Sequence, residues 1–186
     1  MTDVDPHEKQ RIFTAIKVPE DLARSFLTLP GKGVQGRWNN WRDLHITLRF
    51  IGDVDPALVP DIQTTLNAVK RPPVNIEIDG LDYFDNRQAV LFADVKSTRK
   101  LETLVADITD RLTPLGLTFP PCPYRPHVTL ARLKNTPKDK TGLYIKRHSD
   151  KIKGHFKAAS FQLLKSGPPD QKGAVYTTLA EYSLAP

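Results

Sequence analysis

The 186-residue sequence contains a single cysteine, Cys122, so neither an intramolecular disulfide nor a cysteine-rich zinc site can form. That cysteine lies between Pro121 and Pro123, where a small apolar filler is expected rather than a nucleophile. No stretch approaches 18 consecutive apolar residues, and the polar start MTDVDPHEKQ has no apolar run behind it to act as a secretory h-region. A soluble, cytoplasmic protein with no membrane partner is expected. The GK[ST] phosphate loop is absent, which removes support for nucleoside triphosphate hydrolysis. There is also no Pro/Gly/Ser linker long enough to separate two independent domains, so residues 1–186 are expected to form one bilobal domain.

The apolar share is 39% and the charged share 26%, as in ordinary globular chains. Lys and Arg number 27 against 21 Asp and Glu, and the net charge of +6 fits an anionic partner such as a nucleic acid or a phosphate ester. Strands are expected at RIFTAIKV, LHITLRFI, VNIEIDGLDYF, QAVLFADV, HVTLARL, FQLLKS and AVYTTLAEYSL. Asp85-Asn86-Arg87 is expected to turn the third run into the fourth, and Gly-Pro-Pro-Asp to turn at 167–170. Helices are expected after Pro19, from about Pro56 to Val69, and after Ser97 or Thr98, where Leu101, Leu104, Val105, Ile108 and Leu112 form one stripe. Residues 30–42 are expected to be a loop. These elements do not follow a strict parallel βαβ series, so the expected class is α+β, with two similar lobes, mainly antiparallel sheets and flanking helices.

One tetrapeptide pattern occurs twice, as His45-Ile46-Thr47-Leu48 and as His127-Val128-Thr129-Leu130. Composition alone gives about 0.006 expected occurrences. On a strand, residues i and i+2 share a face, so each His projects beside its own Thr, while Leu44, Ile46, Leu48 and Phe50, like Val128 and Leu130, point into the core. Facing lobes would then gather two imidazoles and two hydroxyls about one point. Such a quartet suits phosphodiester cleavage. A neutral His takes a proton from water, a protonated His gives one to the departing alkoxide, and the hydroxyls hold the non-bridging oxygens. No metal or cofactor is needed. A metal enzyme would lack a third ligand, since no Asp or Glu shares those strand faces. A non-catalytic RNA-binding module is the alternative reading, though it has little use for two titrating imidazoles.

The paired motifs, with RIFTAIKVPEDL, YRPHVTLARL, FQLLKSGPP and AVYTTLAEYSL, resemble the RNA 2′,3′-cyclic phosphodiesterases of the two-histidine phosphoesterase superfamily, also described as 2′-5′ RNA ligase-like proteins. The resemblance implies two α+β lobes about a pseudo-two-fold axis, with the motifs facing across a central cleft. It implies a substrate of RNA bearing a 2′,3′-cyclic phosphate end, or a small cyclic nucleotide, and a 2′-phosphomonoester product. It also admits the reverse 2′-5′ joining. By the resemblance His45 is the proton donor, His127 the proton acceptor, and Thr47 and Thr129 hold the phosphate. Arg132 matches a family arginine, but strict alternation turns it away from His127, so a bulge or the strand end must re-aim it. Lys165 stands where relatives carry Arg, and an ammonium cannot make the bidentate contact of a guanidinium.

Phe13, Tyr124 and Tyr176 are further candidates for lining the cleft and stacking a base. Trp38 and Trp41, just before the first motif, either stack bases or pin their loop. His7, His148 and His155 lie in polar surroundings and are expected to be solvated. From Arg132 to Lys157 the chain is strongly basic, and the resemblance assigns the stretch from Lys134 to Lys157 no role. A monomer is expected.

Overall fold

A computed structural model describes residues 8–30, 33–85, 89–170 and 173–185. His7 and the turn residues 86 and 87 lie outside the described residues. The strands are β1 (Gln10–Lys17), β2 (Gly36–Trp38), β3 (His45–Val54), β4 (Val74–Phe84), β5 (Val90–Val95), β6 (His127–Leu133), β7 (Lys153–Ala158), β8 (Ser160–Asp170) and β9 (Gly173–Ser183). The helices are α1 (Glu20–Phe26), α2 (Val59–Asn67), α3 (Arg99–Leu112) and α4 (Lys138–His148). The expected α+β class holds.

The strands form one antiparallel sheet in the order β7-β4-β5-β6-β3-β1-β8-β9, with β2 added beside β6. Among the described residues the ladder joins the two halves, β7-β4-β5-β6 and β3-β1-β8-β9, where Ile46 of β3 pairs with Val128 of β6. They are therefore halves of one curled sheet rather than two separate ones. The helices cross between the halves. Leu22 of α1 packs on Gly154 of β7, in the half opposite to β1, from which α1 follows. In exchange, α3 follows β5 but packs against β3 and α2.

Local chemistry explains the elements. Pro19 precedes α1, whose first turn carries Glu20 and Asp21, where the helix dipole favours negative charge. The Thr98 hydroxyl accepts from the Leu101 amide to cap α3, and all five residues of its apolar stripe are buried. One large core, including Ile46, Leu48, Val128 and Leu130, lies between the sheet and these helices. A separate small cluster of Phe13, Ala15 and Leu164 lies elsewhere, with Tyr176 against it.

Four features depart from expectation, the first being β2, which lies within residues 30–42 where a loop is expected. The basic stretch contains α4 and β7, which have no clean apolar period of their own. The expected turn at 167–170 is instead the end of β8, where Gly167 and Asp170 still pair with β9. Cys122 is exposed, so it is not a core filler. Among the described residues no helix is long and apolar enough to cross a membrane.

Candidate active site

The Ile46–Val128 pair sits at the centre of both motifs, and it fixes how they face. Running antiparallel from that pair, His45 comes level with Thr129 and Thr47 with His127. The two histidines are then diagonal neighbours, about 7–8 Å apart in backbone terms, which leaves room for a phosphate between them. His45, Thr47, His127, Thr129 and Arg132 all line one cavity of about 300 Å³.

Arg132 reaches this cavity through a bulge. In β6, Phe92 of β5 pairs with Thr129 but the next β5 residue, Leu91, pairs with Ala131, leaving Leu130 extra. The added residue reverses the alternation, so Arg132 shares a face with Thr129. β3 carries the same device. Ala15 of β1 pairs with Thr47 while Thr14 pairs with Arg49, so Leu48 is extra. Phe50 is thereby turned out of the core, where plain alternation places it. It is 53% exposed and lines the cavity. The residue five beyond each His is thus delivered to the rim, Arg132 on one side and Phe50 on the other.

Each imidazole is held in the same way. His45 Nδ1 lies 2.6 Å from the Asp43 carbonyl oxygen and His127 Nδ1 lies 2.8 Å from that of Arg125. A carbonyl can only accept, so each Nδ1 carries the proton and each Nε2 is left for chemistry. Aromatic rings fix both imidazoles. His45 lies 5.1 Å from Phe13 and 5.0 Å from the edge-on Tyr176. His127 lies 5.1 Å from Phe92 and 4.9 Å from the edge-on Phe84. Behind His127, the Arg125 guanidinium donates to Asp82 at 2.5 Å and sits over the Phe84 and Phe92 rings.

Electrostatics differ between the two. Burial lowers the His45 pKa from 6.5 to about 4, opposed by its bond to Asp43 and reinforced by the nearby His127. Burial also lowers His127, against its bond to Arg125, while Asp94 pulls it upward. Among the described residues neither the Thr47 nor the Thr129 hydroxyl has a partner, so both are free to donate.

Phe13 and Tyr176 line the cavity. Tyr124 does not. Its hydroxyl donates to the Thr47 carbonyl oxygen at 3.0 Å and its ring packs against the main core, which makes it a brace for β3. Burial pushes its phenol pKa upward. Trp38 packs against the core and Trp41 lies under Arg24 and Arg42, so both hold their loop and neither lines the cavity. His155 is exposed, whereas His148 is half-buried against the Tyr144 ring.

Four lining residues escape the sequence reading: Arg11, Asn39, Phe50 and Ser166. Asn39 binds the Thr129 strand twice, through its amide to the Leu130 oxygen and its Nδ2 to the Thr129 oxygen, both at 2.8 Å. Arg11 is held in a bidentate pair with Asp53 at 2.9 Å. Among the described residues no group of three His, Cys, Asp or Glu side chains could hold a metal ion.

The model of the 2′-5′ RNA ligase superfamily matches residues 21–168. An RNA 2′,3′-cyclic phosphodiesterase of Aeropyrum pernix is 29% identical over 168 residues, covering 88% of this chain and 95% of that protein. One of Geobacillus stearothermophilus is 33% identical over 99 residues, or 51% of this chain, and the match spans 32% of that protein, so the chain reaches less than two thirds of its length. The fold is similar to that of E. coli LigT in its apo form, with a TM-score of 0.74, 20% identity, and coverage of 96% of this chain and 99% of that one. The match at residues 21–168 spans most of the sequence, and the chain belongs to the 2′-5′ RNA ligase superfamily.

Proposed function

We propose that the protein is an RNA 2′,3′-cyclic phosphodiesterase that opens the cyclic ester to a 2′-phosphomonoester by acid–base catalysis between its two motif histidines. The observation that carries this reading is the pair of imidazoles with both Nδ1 atoms tied to backbone carbonyls and both Nε2 atoms left for one cavity. The names of the relatives from Aeropyrum and Geobacillus support the substrate class.

In the proposed reaction the His127 Nε2 takes a proton from water as its oxygen bonds to phosphorus. The P–O3′ bond breaks, and His45 Nε2 gives its proton to the leaving 3′ oxygen. Thr47, Thr129 and Arg132 donate to the non-bridging oxygens, where the charge of the transition state resides. Phe13, Tyr176 and the exposed Phe50 offer ring faces to the terminal base and ribose. With a ribose 5′-hydroxyl in place of water, His127 would take that hydroxyl's proton as its oxygen bonds to phosphorus, the P–O3′ bond would break with His45 protonating the 3′ oxygen, and the product would be a 2′-5′ phosphodiester.

With burial lowering both imidazoles, each is neutral near pH 7 before substrate binds. The phosphate anion must therefore bring the donor's proton with it, by raising the His45 pKa on binding. Incubation of a short RNA ending in 2′,3′-cyclic phosphate, in excess chelator, tests the reading. A 2′-phosphomonoester is expected. A 3′-phosphomonoester, or activity only after a divalent metal is restored, contradicts it.

A further inference from the structure

The basic stretch after β6 divides into two parts with different surroundings. On β7, Lys153 lies 3.7 Å from Asp79, and both line a hollow with Glu77. At the start of α4, Lys138 pairs with Asp85. These cations are wholly or partly neutralised. Arg132, Lys134, Lys140 and Arg147 are not, and Arg37 on β2 joins them. All five are exposed and none forms an ion pair among the described residues.

Their positions connect. Arg132 lines the catalytic cavity and also the next groove, which contains Arg37, Lys134 and Asn135. Gln35 and Asn135 lead from that groove into a cavity of about 470 Å³ beneath α4, lined by Lys140, Arg147 and His148. No carboxylate lines either groove or cavity among the described residues. The exposed Leu143 and the half-buried His148 give the distal cavity an apolar wall against which a base can pack. At about 3.3 Å per strand residue, Lys134 stands roughly 16 Å beyond Thr129, outside the reach of a mononucleotide.

The floor of the track is rigid. The Lys134 amide donates to the Gln35 oxygen at 2.8 Å, and the Gln35 amide to the Thr136 hydroxyl at 2.9 Å. Gly36 makes the approach possible, since a Cβ there would lie 2.4 Å from the Arg132 oxygen. The opposite rim offers no such path, because Arg11 is already occupied by Asp53.

From this continuity and charge we infer that the RNA strand 5′ of the reacting end leaves the catalytic cavity over Arg132, runs past Arg37 and Lys134, and seats a nucleotide in the cavity under α4. The inference rests on the phosphodiesterase reading for the position of the RNA end. It makes the protein a reader of polynucleotide ends rather than of free cyclic nucleotides, with the extra affinity supplied by phosphates remote from the chemistry.

The test compares wild type, a Lys140→Gln/Arg147→Gln variant and a Lys153→Gln/Lys157→Gln control. Fluorescence anisotropy with a labelled RNA of about eight nucleotides ending in a 2′-phosphate reads the track without any turnover. Steady-state cleavage of cytidine 2′,3′-cyclic phosphate reads the catalytic centre alone. The α4 variant is expected to raise the Kd for the RNA about tenfold. It should lower the slope of log K against log salt by about 1.4, near 0.7 for each lost phosphate contact. Its cleavage of the mononucleotide should stay within about twofold of wild type, and the β7 control should match wild type throughout. An unchanged Kd and salt slope in the α4 variant, an equal loss in the β7 control, or failure of the wild type to bind the RNA overturns the track. Failure of the wild type to cleave the mononucleotide removes the catalytic reading instead, while the anisotropy still decides whether RNA follows the α4 groove. All substituted side chains are exposed, and thermal melts of each variant verify the fold.

Discussion

The His45 and His127 halves of the site match in construction and differ in what they offer a substrate. Each half has a strand bearing His and Thr on the cleft face, a carbonyl two residues earlier that fixes Nδ1, two aromatic rings around the imidazole, and a bulge just after the Thr. The differences sit where the bulge delivers the rim residue. The His127 half presents a free guanidinium, Arg132, and opens into uncompensated positive charge. The His45 half presents an exposed ring, Phe50, and a guanidinium already held by Asp53. In the proposed reading this paired frame holds the reacting phosphate between the motifs, while the Arg132 rim takes phosphates and the Phe50 rim takes the base.

The largest effects should come from removing what the halves share. His45→Ala and His127→Ala are each expected to lower kcat by about 10²–10⁴-fold, and the double variant by much less than the product of the two. Steady-state kinetics on a mononucleotide cyclic phosphate measures this. A variant of His148 as damaging as either, with the fold intact, would move the active site elsewhere. Thr47→Ala and Thr129→Ala should cost about 1–3 kcal/mol each in kcat/KM, as lost hydrogen bonds to a charged group.

The rims should then separate. Arg132→Ala is expected to cost about 1.5–3 kcal/mol on every substrate, because it removes a charge-assisted contact to the reacting phosphate. Phe50→Ala should cost about 1–3 kcal/mol, mainly in KM, with a greater loss for purine than for pyrimidine ends, since stacking grows with ring area. Equal losses across bases would show that Phe50 does not stack the base.

Much of this frame was legible in the sequence and some of it could not be. β3 and β6 announce themselves because a buried strand with one polar face must alternate, and the repeated HxTx pattern marks which face carries chemistry. The re-aiming of Arg132 was required once alternation and role conflicted. The same reasoning failed for Phe50, placed in the core with Leu44, Ile46 and Leu48, because an extra residue in a ladder leaves no mark on the sequence. Asn39 was hidden for a related reason. It reaches the site only because three-residue β2 is held by β6, a long-range pairing with no local pattern. α4 escaped because its charged turns and Gly142 blur any apolar stripe, leaving Thr141 and Tyr144 as its buried residues. The single bridge between Ile46 and Val128, which joins the halves into one sheet, is likewise a contact between distant segments.

The smallest expected effect is on stability. His45 is lowered in the folded protein, so the folded state resists protonation that the unfolded chain accepts. Stability is full above pH 6.5 and is lost as the pH falls toward about 4. Because the ring is only partly buried, the loss attributable to His45 should be about 1–2 kcal/mol, below the full linkage value. His45→Gln should accordingly shrink the drop in Tm between pH 7 and pH 4.5 relative to wild type. An unchanged drop would show that His45 is not held neutral by burial.

The pH dependence of kcat/KM on cytidine 2′,3′-cyclic phosphate tests the two-histidine mechanism most directly, since it reports the ionisations of the free enzyme. Both imidazoles are lowered, so a bell is expected with its maximum on the acid side of pH 6.5, its limbs belonging to the coupled pair. The kcat profile should lie at higher pH, because the bound phosphate raises both groups. In His127→Ala one limb should vanish. A kcat/KM that instead rises to a plateau above pH 7, with no acid-side maximum and no change of shape in His127→Ala, would contradict proton transfer between these two residues.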